Sequence, residues 1–425
     1  RPPRSTPLYS SAASDVYKRQ ILDNGLIIAV EEDFRLPVVA ISNTFKAGLF
    51  ADSIHGQGIT QLLSRVFLKG TNTKEADQIA LMIESLGGNV TAIGGNNSLS
   101  LNSEFLSDDF EQALNIVSNI ILHPTFPQPA VDREKETLLM DIKEERESPL
   151  SLAAIIAREN LFDNHAYKNS RLGTENHVKA LDTEKILKYY SNYGVANNGV
   201  ISICGAIDSD KVIDKVGGAF SKMRIGDEVI ANTKDAEWPV TQKEIEYNHH
   251  KEQAVLLVAY PGLKLDDKDR AIVSLIEEIS GGMDGLLFKR IREELGLAYY
   301  VGTSQLVSYS RGSIYFYAGT NSESLSKVQH ELEKIIGSLI AEKIDEKVLE
   351  RAKKSLIGKY SLSKQSYSAR AQSMALNLLY GLGECYDEKN LKLIKNTTSS
   401  DLQKCCHKYF NTLSKVTVRI VPNNK

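Results

Sequence analysis

The chain has 425 residues, more than one hydrophobic core usually organises, which points to two or three domains. Its 51 basic and 54 acidic residues give a formal net charge of −3, so no basic excess favours a nucleic acid or an anionic membrane as partner. Four cysteines make neither a disulfide framework nor a C-x-x-C metal motif, and no apolar run approaches the ~20 residues of a membrane span.

The N-terminal segment, residues 1–20, has neither the periodicity of a folded element nor the apolar run of a signal peptide. We expect it to be a disordered or non-native tail, with the fold beginning at Ile21. On this interpretation the natural N-terminus, with any export signal, is missing from the sequence.

From Ile21 onward, strands and helices follow one another in an order that predicts an α+β domain. The segment 22–30 predicts a hairpin turn at Asn24-Gly25 followed by a strand. Further strands are predicted at 37–45, at 90–105 (as one or two strands) and at 199–203. Helices are predicted at 58–68, 74–86, 108–122, 130–146, 151–161 and 183–193.

The same order of elements recurs in the second half of the chain. Asp401 to Ile420, for example, repeats the helix-then-strand pattern of Glu184 to Ile203. Strands are predicted at 253–259, 298–306, 312–320 and 415–421, and helices at 268–279, 281–294, 322–342, 345–362, 368–380 and 400–410. A repeat of this length indicates two copies of one domain rather than a solenoid.

We therefore predict two homologous α+β domains, at 21–223 and 249–425. The polar, aperiodic stretch 224–248 is the predicted linker between them. In each domain a mixed, largely antiparallel sheet is expected, covered by helices on one face.

The segment Gly58 to Thr71, G-I-T-Q-L-L-S-R-V-F-L-K-G-T, follows K-A-G-L-F-A-D and resembles the signature helix of the pitrilysin/insulinase-like metallopeptidases. That family includes the mitochondrial processing peptidase, and the resemblance implies a LuxS/MPP-like metallohydrolase fold. Its active members carry H-x-x-E-H on this helix, where two histidines on one face hold zinc and the glutamate activates a water. The matching positions here are Gln61, Ser64 and Arg65. The position of the family's last ligand, a glutamate on a later helix, falls on Asp141.

An amide, a hydroxyl and a permanently cationic guanidinium cannot replace two imidazoles and a general base. We therefore expect no metal in this degenerate site. Arg65 is expected to take the place of the ion and to pair with Asp141, with Glu134 as a further candidate partner. The eight histidines offer no alternative metal site, and His249-His250 are interpreted as plain surface residues before a strand.

The second copy retains another hallmark of the family, in I-R-E-E-L-G-L-A-Y. The resemblance implies that Arg292 and Tyr299, seven residues apart, hold the substrate backbone and the developing oxyanion. A guanidinium and a phenol suit that task, because peptide hydrolysis builds negative charge on the carbonyl oxygen. The alternative interpretation makes Arg292 a cation on a helix surface and Tyr299 a core residue of the next strand.

The lost metal motif and the retained pair together imply the non-catalytic subunit of a heterodimeric zinc metallopeptidase. Such a subunit donates Arg292 and Tyr299 to a homologous, zinc-bearing partner that cuts unfolded peptides, with a homodimer as a second arrangement. By itself the chain is not expected to be an enzyme, and zinc is expected only in the partner. A periplasmic location is favoured for a bacterial protein. The alternative is a structural core-type subunit of a larger complex, while the histidine survey disfavours a free-standing peptidase with another metal site.

Overall fold

The computed structural model describes residues 17–163, 165–227, 229 and 238–423. Its strands are β1 (Lys18–Ile21), β2 (Ile27–Glu32), β3 (Val38–Lys46), β4 (Asn89–Gly94), β5 (Ser98–Leu106), β6 (Gly199–Gly205), β7 (Lys243–His249), β8 (Ala254–Pro261), β9 (Tyr300–Leu306), β10 (Ser313–Thr320) and β11 (Val416–Pro422). Its helices in the first half are α1 (Leu49–His55), α2 (Ile59–Val66), α3 (Ala76–Ser85), α4 (Phe110–Leu122), α5 (Gln128–Glu147), α6 (Pro149–Leu161), α7 (Glu175–Lys179), α8 (Thr183–Tyr193) and α9 (Ser209–Phe220). In the second half they are α10 (Arg270–Gly281), a π-helical segment (Phe288–Glu294), α11 (Leu325–Ala341), α12 (Glu346–Ser363), α13 (Tyr367–Leu379), α14 (Tyr386–Asn396) and α15 (Ser399–Phe410).

The two sheets share one topology. The first has the strand order β1-β2-β6-β3-β5-β4, and the second has β7-β11-β8-β10-β9. If the extra edge strand β1 is set aside, both sheets place their five strands in the same order: the first strand along the chain, then the fifth, second, fourth and third. One pair in each sheet is parallel (β2 with β6, β7 with β11) and the other pairs are antiparallel. The predicted pair of α+β domains with mixed, largely antiparallel sheets is confirmed.

Alternate residues along each central strand face two different layers, because strand side chains point to opposite sides in turn. In β8, Leu256 and Val258 pack into the core that α10, α11 and α15 form with the second sheet. Val255 and Leu257 face the other way and pack against α6, which precedes the second domain by almost a hundred residues. The second sheet is therefore covered on both faces, once by its own helices and once by a helix of the first domain.

The first sheet is covered in the reciprocal manner. Its own helices pack on one face, as predicted, while α13 of the second domain packs on the other. Ala371 of α13 lies against Ala40 of β3 and Cys204 of β6, and all three side chains are fully buried. Since α6 and α13 occupy equivalent places in the two copies, the domains exchange one helix each.

An ion-pair network at the N-terminal end of α13 ties the exchanged helix to the first domain. Arg370 pairs with Glu31 of β2 and with Asp33 just after it. The hydroxyl of Tyr367 donates to the carboxylate of Asp33 at 2.9 Å, and Arg35 pairs with the same group at 2.5 Å. Hydrogen bonds from Arg35 and then Arg370 hold the pKa of Asp33 well below its usual range.

Two predicted boundaries are wrong. Lys18–Ile21 pairs antiparallel with β2, so the fold begins before Ile21, while residues 1–16 lie outside the described part of the chain. The predicted linker also contains most of β7, which pairs parallel with β11 from Lys243 to His249. Within the predicted linker, residues 228 and 230–237 are not among those described. No helix within the described residues is both long and apolar enough to cross a membrane.

Candidate functional site

Helix α2 begins after Gly58, whose backbone has a left-handed φ of 88°. A Cβ there would lie 2.4 Å from the carbonyl oxygen of Leu172, so only glycine fits this entry to the helix. Leu62, Leu63 and Val66 point into the core of the first domain and fix the rotation of the helix. The opposite face therefore carries the three half-buried side chains at 61, 64 and 65.

Each of these three side chains is engaged by a protein group. The amide nitrogen of Gln61 donates to the carbonyl oxygen of Gly94 in the edge strand β4. The hydroxyl of Ser64 donates to the backbone oxygen of Gln61 at 2.8 Å. The guanidinium of Arg65 donates to the carboxylate of Asp141 on α5. The expected ion pair of Arg65 with Asp141 is therefore present.

Glu134 is not a second partner of Arg65, contrary to the expectation from the sequence. It pairs instead with Lys69, one turn further along, at 3.3 Å between Nζ and Oε1. Two parallel ion pairs thus connect the end of α2 with α5. The two pairs are about equally shielded, with side chains 22% and 39% exposed in Arg65 and Asp141 and 36% and 24% exposed in Lys69 and Glu134.

The side chains at these positions do not fit a zinc ion. Zinc in proteins is held by imidazole nitrogen, thiolate sulfur or carboxylate oxygen, and only Asp141 offers such an atom here. Its carboxylate already accepts from Arg65. Since a guanidinium has no lone pair to give and repels a dication, the group that neutralises Asp141 is the same group that opposes a metal.

The second domain also has an ion pair where the equivalent two helices cross, but with the positions of the cation and the anion reversed. There Glu278 of α10 accepts from Lys359 and from Ser355 of α12, both at 2.6 Å. Like α2 and α5, α10 and α12 pack against each other beneath the sheet. The cation is on the first helix in one domain and on the second helix in the other. A charged pair at this crossing is therefore a packing feature shared by both copies.

Arg292 and Tyr299 lie on the second domain, at the start of its edge strand. Arg292 belongs to the π-helical segment and its guanidinium lies 4.8 Å from the centre of the Phe288 ring. Tyr299 immediately precedes β9, and its backbone N–H donates to Gly319 at 2.8 Å. Its side chain is 60% exposed, so the interpretation as a core residue is wrong.

The neighbours of this pair are engaged elsewhere. Arg290 pairs with Glu331 at 2.8 Å and with Glu294 at 3.0 Å, and Tyr300 is half-buried against Tyr317. Among the described residues, no hydrogen bond or ion pair engages the guanidinium of Arg292 or the hydroxyl of Tyr299. Nor does any such contact join this pair to the α2 site. The six predicted site residues thus form two groups, one on each domain.

A buried carboxyl group beside α2 was not singled out from the sequence. Asp52, in the K-A-G-L-F-A-D that precedes the helix, accepts from Thr60 at 2.5 Å and from Tyr189 at 3.0 Å. Burial raises the pKa of Asp52 to about 7, although these hydrogen bonds oppose the rise. These hydrogen bonds join α1, the start of α2 and α8. In the sequence, the one indication of a buried carboxyl group was an acidic residue within an otherwise apolar run.

A second group that the sequence did not reveal consists of Glu147, His249 and His250. The interpretation of both histidines as plain surface residues is wrong for His249, which is 6% exposed. Glu147 ends α5, and the Nε2 of His250 lies 2.8 Å from its carboxylate. No sequence motif indicated this cluster, because about a hundred residues separate the glutamate from the histidines.

Two models of known protein families match parts of the chain. Residues 27–185 match the family described as insulinase (peptidase family M16), and residues 180–356 match the one described as peptidase M16 inactive domain. The chain belongs to the M16 peptidase family. The resemblance drawn from the signature helix is thereby confirmed.

Relatives of this M16 chain extend over nearly its whole length. An "uncharacterized zinc protease" of Rickettsia bellii is 25% identical over 95% of this chain and 97% of its own. A "non-peptidase homolog" of Helicobacter pylori is 22% identical over 97% of this chain and 95% of its own. Among solved structures, a peptidase M16 inactive domain from Pseudomonas fluorescens superposes with a TM-score of 0.87 at 22% identity. That superposition covers 96% of this chain and 98% of the other, and it supports the fold alone.

Proposed function

We propose that this chain is the non-catalytic subunit of a two-chain zinc peptidase and completes the active site of a homologous, zinc-bearing partner. Membership of the M16 family, with a match to its inactive domain, fits a non-catalytic peptidase-like subunit. The observation that carries the finer proposal is the contrast between two sites. The α2 site is closed by the ion pair of Arg65 with Asp141, while Arg292 and Tyr299 stand exposed with unengaged polar groups among the described residues.

The first half of this contrast argues against hydrolysis by the chain alone. Activation of water at neutral pH in this class of peptidase needs a metal and a general base. At the corresponding positions the chain has Arg65, which repels a metal, and Ser64, whose hydroxyl donates to its own helix. Four substitutions would be needed to rebuild the ligand set and the base.

The second half argues for a contribution to another active site. A guanidinium that is exposed and free of a carboxylate partner keeps its hydrogen-bond donors for a ligand. Within the described part of the chain Arg292 is of this kind, whereas its neighbour Arg290 pairs with Glu294 and Glu331. The phenol of Tyr299 is likewise exposed, at 60%. Donors of this kind stabilise an oxyanion best when they are held ready before the reaction, and the backbone of Tyr299 is fixed by its hydrogen bond to Gly319 at the start of β9.

Co-expression with a homologue from the same genome that has an intact H-x-x-E-H tests the proposal. The purified complex is expected to cut an unfolded peptide in a chelator-sensitive manner, whereas this chain alone is not. Arg292→Ala and Tyr299→Phe are expected to lower kcat by about 100-fold, the usual loss when one oxyanion donor is removed. Tyr300→Phe, a matched change at the next residue, should leave kcat unchanged.

The outcomes separate the proposal from its alternative. Unchanged cleavage by both variants would exclude a donated pair and favour a structural core-type subunit. Chelator-sensitive cleavage by this chain alone, absent from a contaminant control, would exclude a non-catalytic role. Complex formation must be confirmed for each variant by size-exclusion chromatography, because loss of binding to the partner would also lower the rate.

A further inference from the structure

We propose that Glu147, His249 and His250 form a binding site for a divalent transition-metal ion of the zinc class, separate from the α2 site. One ligand atom from each of the three side chains lies within 4.8 Å of the other two. The closest two, Nε2 of His250 and a carboxylate oxygen of Glu147, are 2.8 Å apart. The proposal does not depend on the proposed function.

The fold builds this cluster from both domains. Glu147 is the last residue of α5, and α6 begins two residues later and packs across the second sheet. His249 is the last residue of β7, the edge strand of that sheet. The Nζ of Lys243, at the other end of β7, donates to the backbone oxygen of Asn160 near the end of α6 at 3.1 Å. The helix therefore lies along the strand, which brings the end of α5 to the end of β7.

Two adjacent histidines in a continuous strand would point to opposite faces of the sheet. Here the strand ends at His249 and the chain bends at His250, so the two rings lie 4.4 Å apart with 32° between their planes. Because the strand ends here, the rings of His249 and His250 lie on the same side and both can bind one ion. Glu147 faces this pair from the first domain.

Two imidazoles and one carboxylate form a donor set that zinc uses in open sites, with water in the fourth position. Bonds of roughly 2.0–2.2 Å place tetrahedral ligand atoms about 3.3 Å apart, which lies between the 2.8 Å and 4.8 Å of this cluster. The side chains of His250 and Glu147 are 58% and 54% exposed, so both have room to adjust. His249 is held in place by its burial.

Zinc binding exchanges two existing interactions for metal bonds. The ion displaces the contact of His250 with Glu147 and binds both groups. The Nδ1 of His249 accepts from the Lys251 amide at 3.2 Å, and ligation through either ring nitrogen gives up this long hydrogen bond. The bound ion would join α5 of the first domain to β7 of the second and thereby stabilise the arrangement of the domains.

This cluster cannot be a displaced version of the α2 site. Glu147 is six residues after Asp141 on α5, which corresponds to about 9 Å along the helix and to a different face. Asp141 is also paired with Arg65. The two sites can therefore be probed by independent substitutions.

Isothermal titration of the full, tag-free chain with zinc chloride, after removal of metal by a chelator, tests the proposal. We expect one zinc ion per chain and a rise in melting temperature on zinc binding. His250→Ala and Glu147→Gln should each weaken zinc binding by about 10-fold or more, since even the loss of a residue that only orients a ligand costs 10- to 100-fold. His330→Ala and Glu159→Gln, changes at exposed positions outside the cluster, serve as matched controls, and Asp141→Asn tests the α2 site.

Both changed side chains are exposed, so the variants are expected to fold, and circular dichroism would verify this. The proposal is overturned if the wild-type chain binds no zinc. It is also overturned if either variant binds zinc with the affinity of the wild type, because each residue is required as a ligand. Loss of zinc binding in Asp141→Asn, with both cluster variants unaffected, would place the ion at the α2 site instead, because Asp141 offers the carboxylate there.

Discussion

Arg65 on α2 and Asp141 on α5 form an ion pair across two helices that pack against each other. Both groups are partly shielded, with 22% and 39% of their side chains exposed. Removal of one member leaves the other charge without its partner in a poorly solvated place. Loss of either residue is therefore expected to destabilise the protein, because it removes the ion pair and leaves an unpaired charge.

Arg65→Ala is expected to lower the free energy of unfolding by about 1–2 kcal/mol, less than for a fully buried pair because of the remaining exposure. Asp141→Ala should have a similar effect, and the double variant should cost less than the sum of the two. Urea unfolding gives all three values. Lys69→Ala, which breaks the longer pair with Glu134, at 3.3 Å, is the control and should cost no more than about 1 kcal/mol. Additive effects of Arg65→Ala and Asp141→Ala on the free energy of unfolding would show that the two side chains do not interact.

Rebuilding the ligand set tests whether the α2 site is a degenerate metal site. Gln61→His, Ser64→Glu and Arg65→His combined with Asp141→Glu would restore two imidazoles, a general base and a full-length carboxylate. We expect this variant to bind a zinc ion that the parent does not bind, because i, i+3 and i+4 share one helix face. The measurement is zinc stoichiometry in a His250→Ala background, which removes the other proposed site. A correctly folded variant without the additional zinc would contradict the prediction.

The sequence predicts elements best where one pattern decides them. Helix α8 was expected at 183–193 and lies at Thr183–Tyr193, since Asp182 caps its start and its apolar residues repeat at helical spacing. Strand β7 was missed because it is an edge strand with mostly exposed side chains, so no alternation of buried and exposed residues marks it.

Interactions between distant parts of the chain were harder to predict. The pair of Arg65 with Asp141 followed from the sequence only because a known motif fixes both positions. The exchange of α6 and α13 did not, because an amphipathic pattern shows that a helix has a buried face but not which sheet covers it. The cluster of Glu147 with His249 depends on that exchange and was hidden for the same reason.

Acid sensitivity is predicted for the network around Asp33. The folded-state pKa of Asp33 lies well below its unfolded value, so its contribution to stability is complete above the unfolded value, near pH 4, and is lost as the pH falls towards the folded value. Asp33→Asn should lower the free energy of unfolding at pH 7 by about 1–3 kcal/mol, because hydrogen bonds from two guanidinium groups lose their charged acceptor. The difference from the wild type should shrink between pH 5 and pH 3.

Urea unfolding as a function of pH measures this effect. Asp266→Asn, a change of an exposed carboxylate, is the control and should follow the wild type at each pH. A difference between Asp33→Asn and the wild type that stays constant down to pH 3 would show that the carboxylate keeps its usual pKa in the fold.

Asp52 is predicted to act in the opposite direction. Its pKa is raised to about 7 by burial, so the folded state holds a proton that the unfolded state loses near pH 4. Its contribution therefore becomes less favourable as the pH rises from about 4 to about 7, and changes little above that. Asp52→Asn, which keeps an oxygen to accept from Thr60 and Tyr189, should remove this dependence. Relative to the wild type, the variant should gain stability between pH 5 and pH 8 in urea unfolding. An unchanged difference across this range would contradict the raised pKa.

The exchange of helices predicts that damage to one domain is felt in the other. Leu152 lies on α6, in the first half of the chain, but it is 5% exposed within the core that α6 forms with β8 and β11. Leu152→Ala should cost about 2–4 kcal/mol through loss of apolar contact and the cavity that remains. Hydrogen exchange should accelerate in β8 and β11, although the change lies about 100 residues before β8 and about 260 residues before β11. Leu187→Ala, at a position that is 39% exposed on α8, is the control and should leave both strands unaffected. Faster exchange confined to the first sheet would show that α6 does not support the second domain in solution.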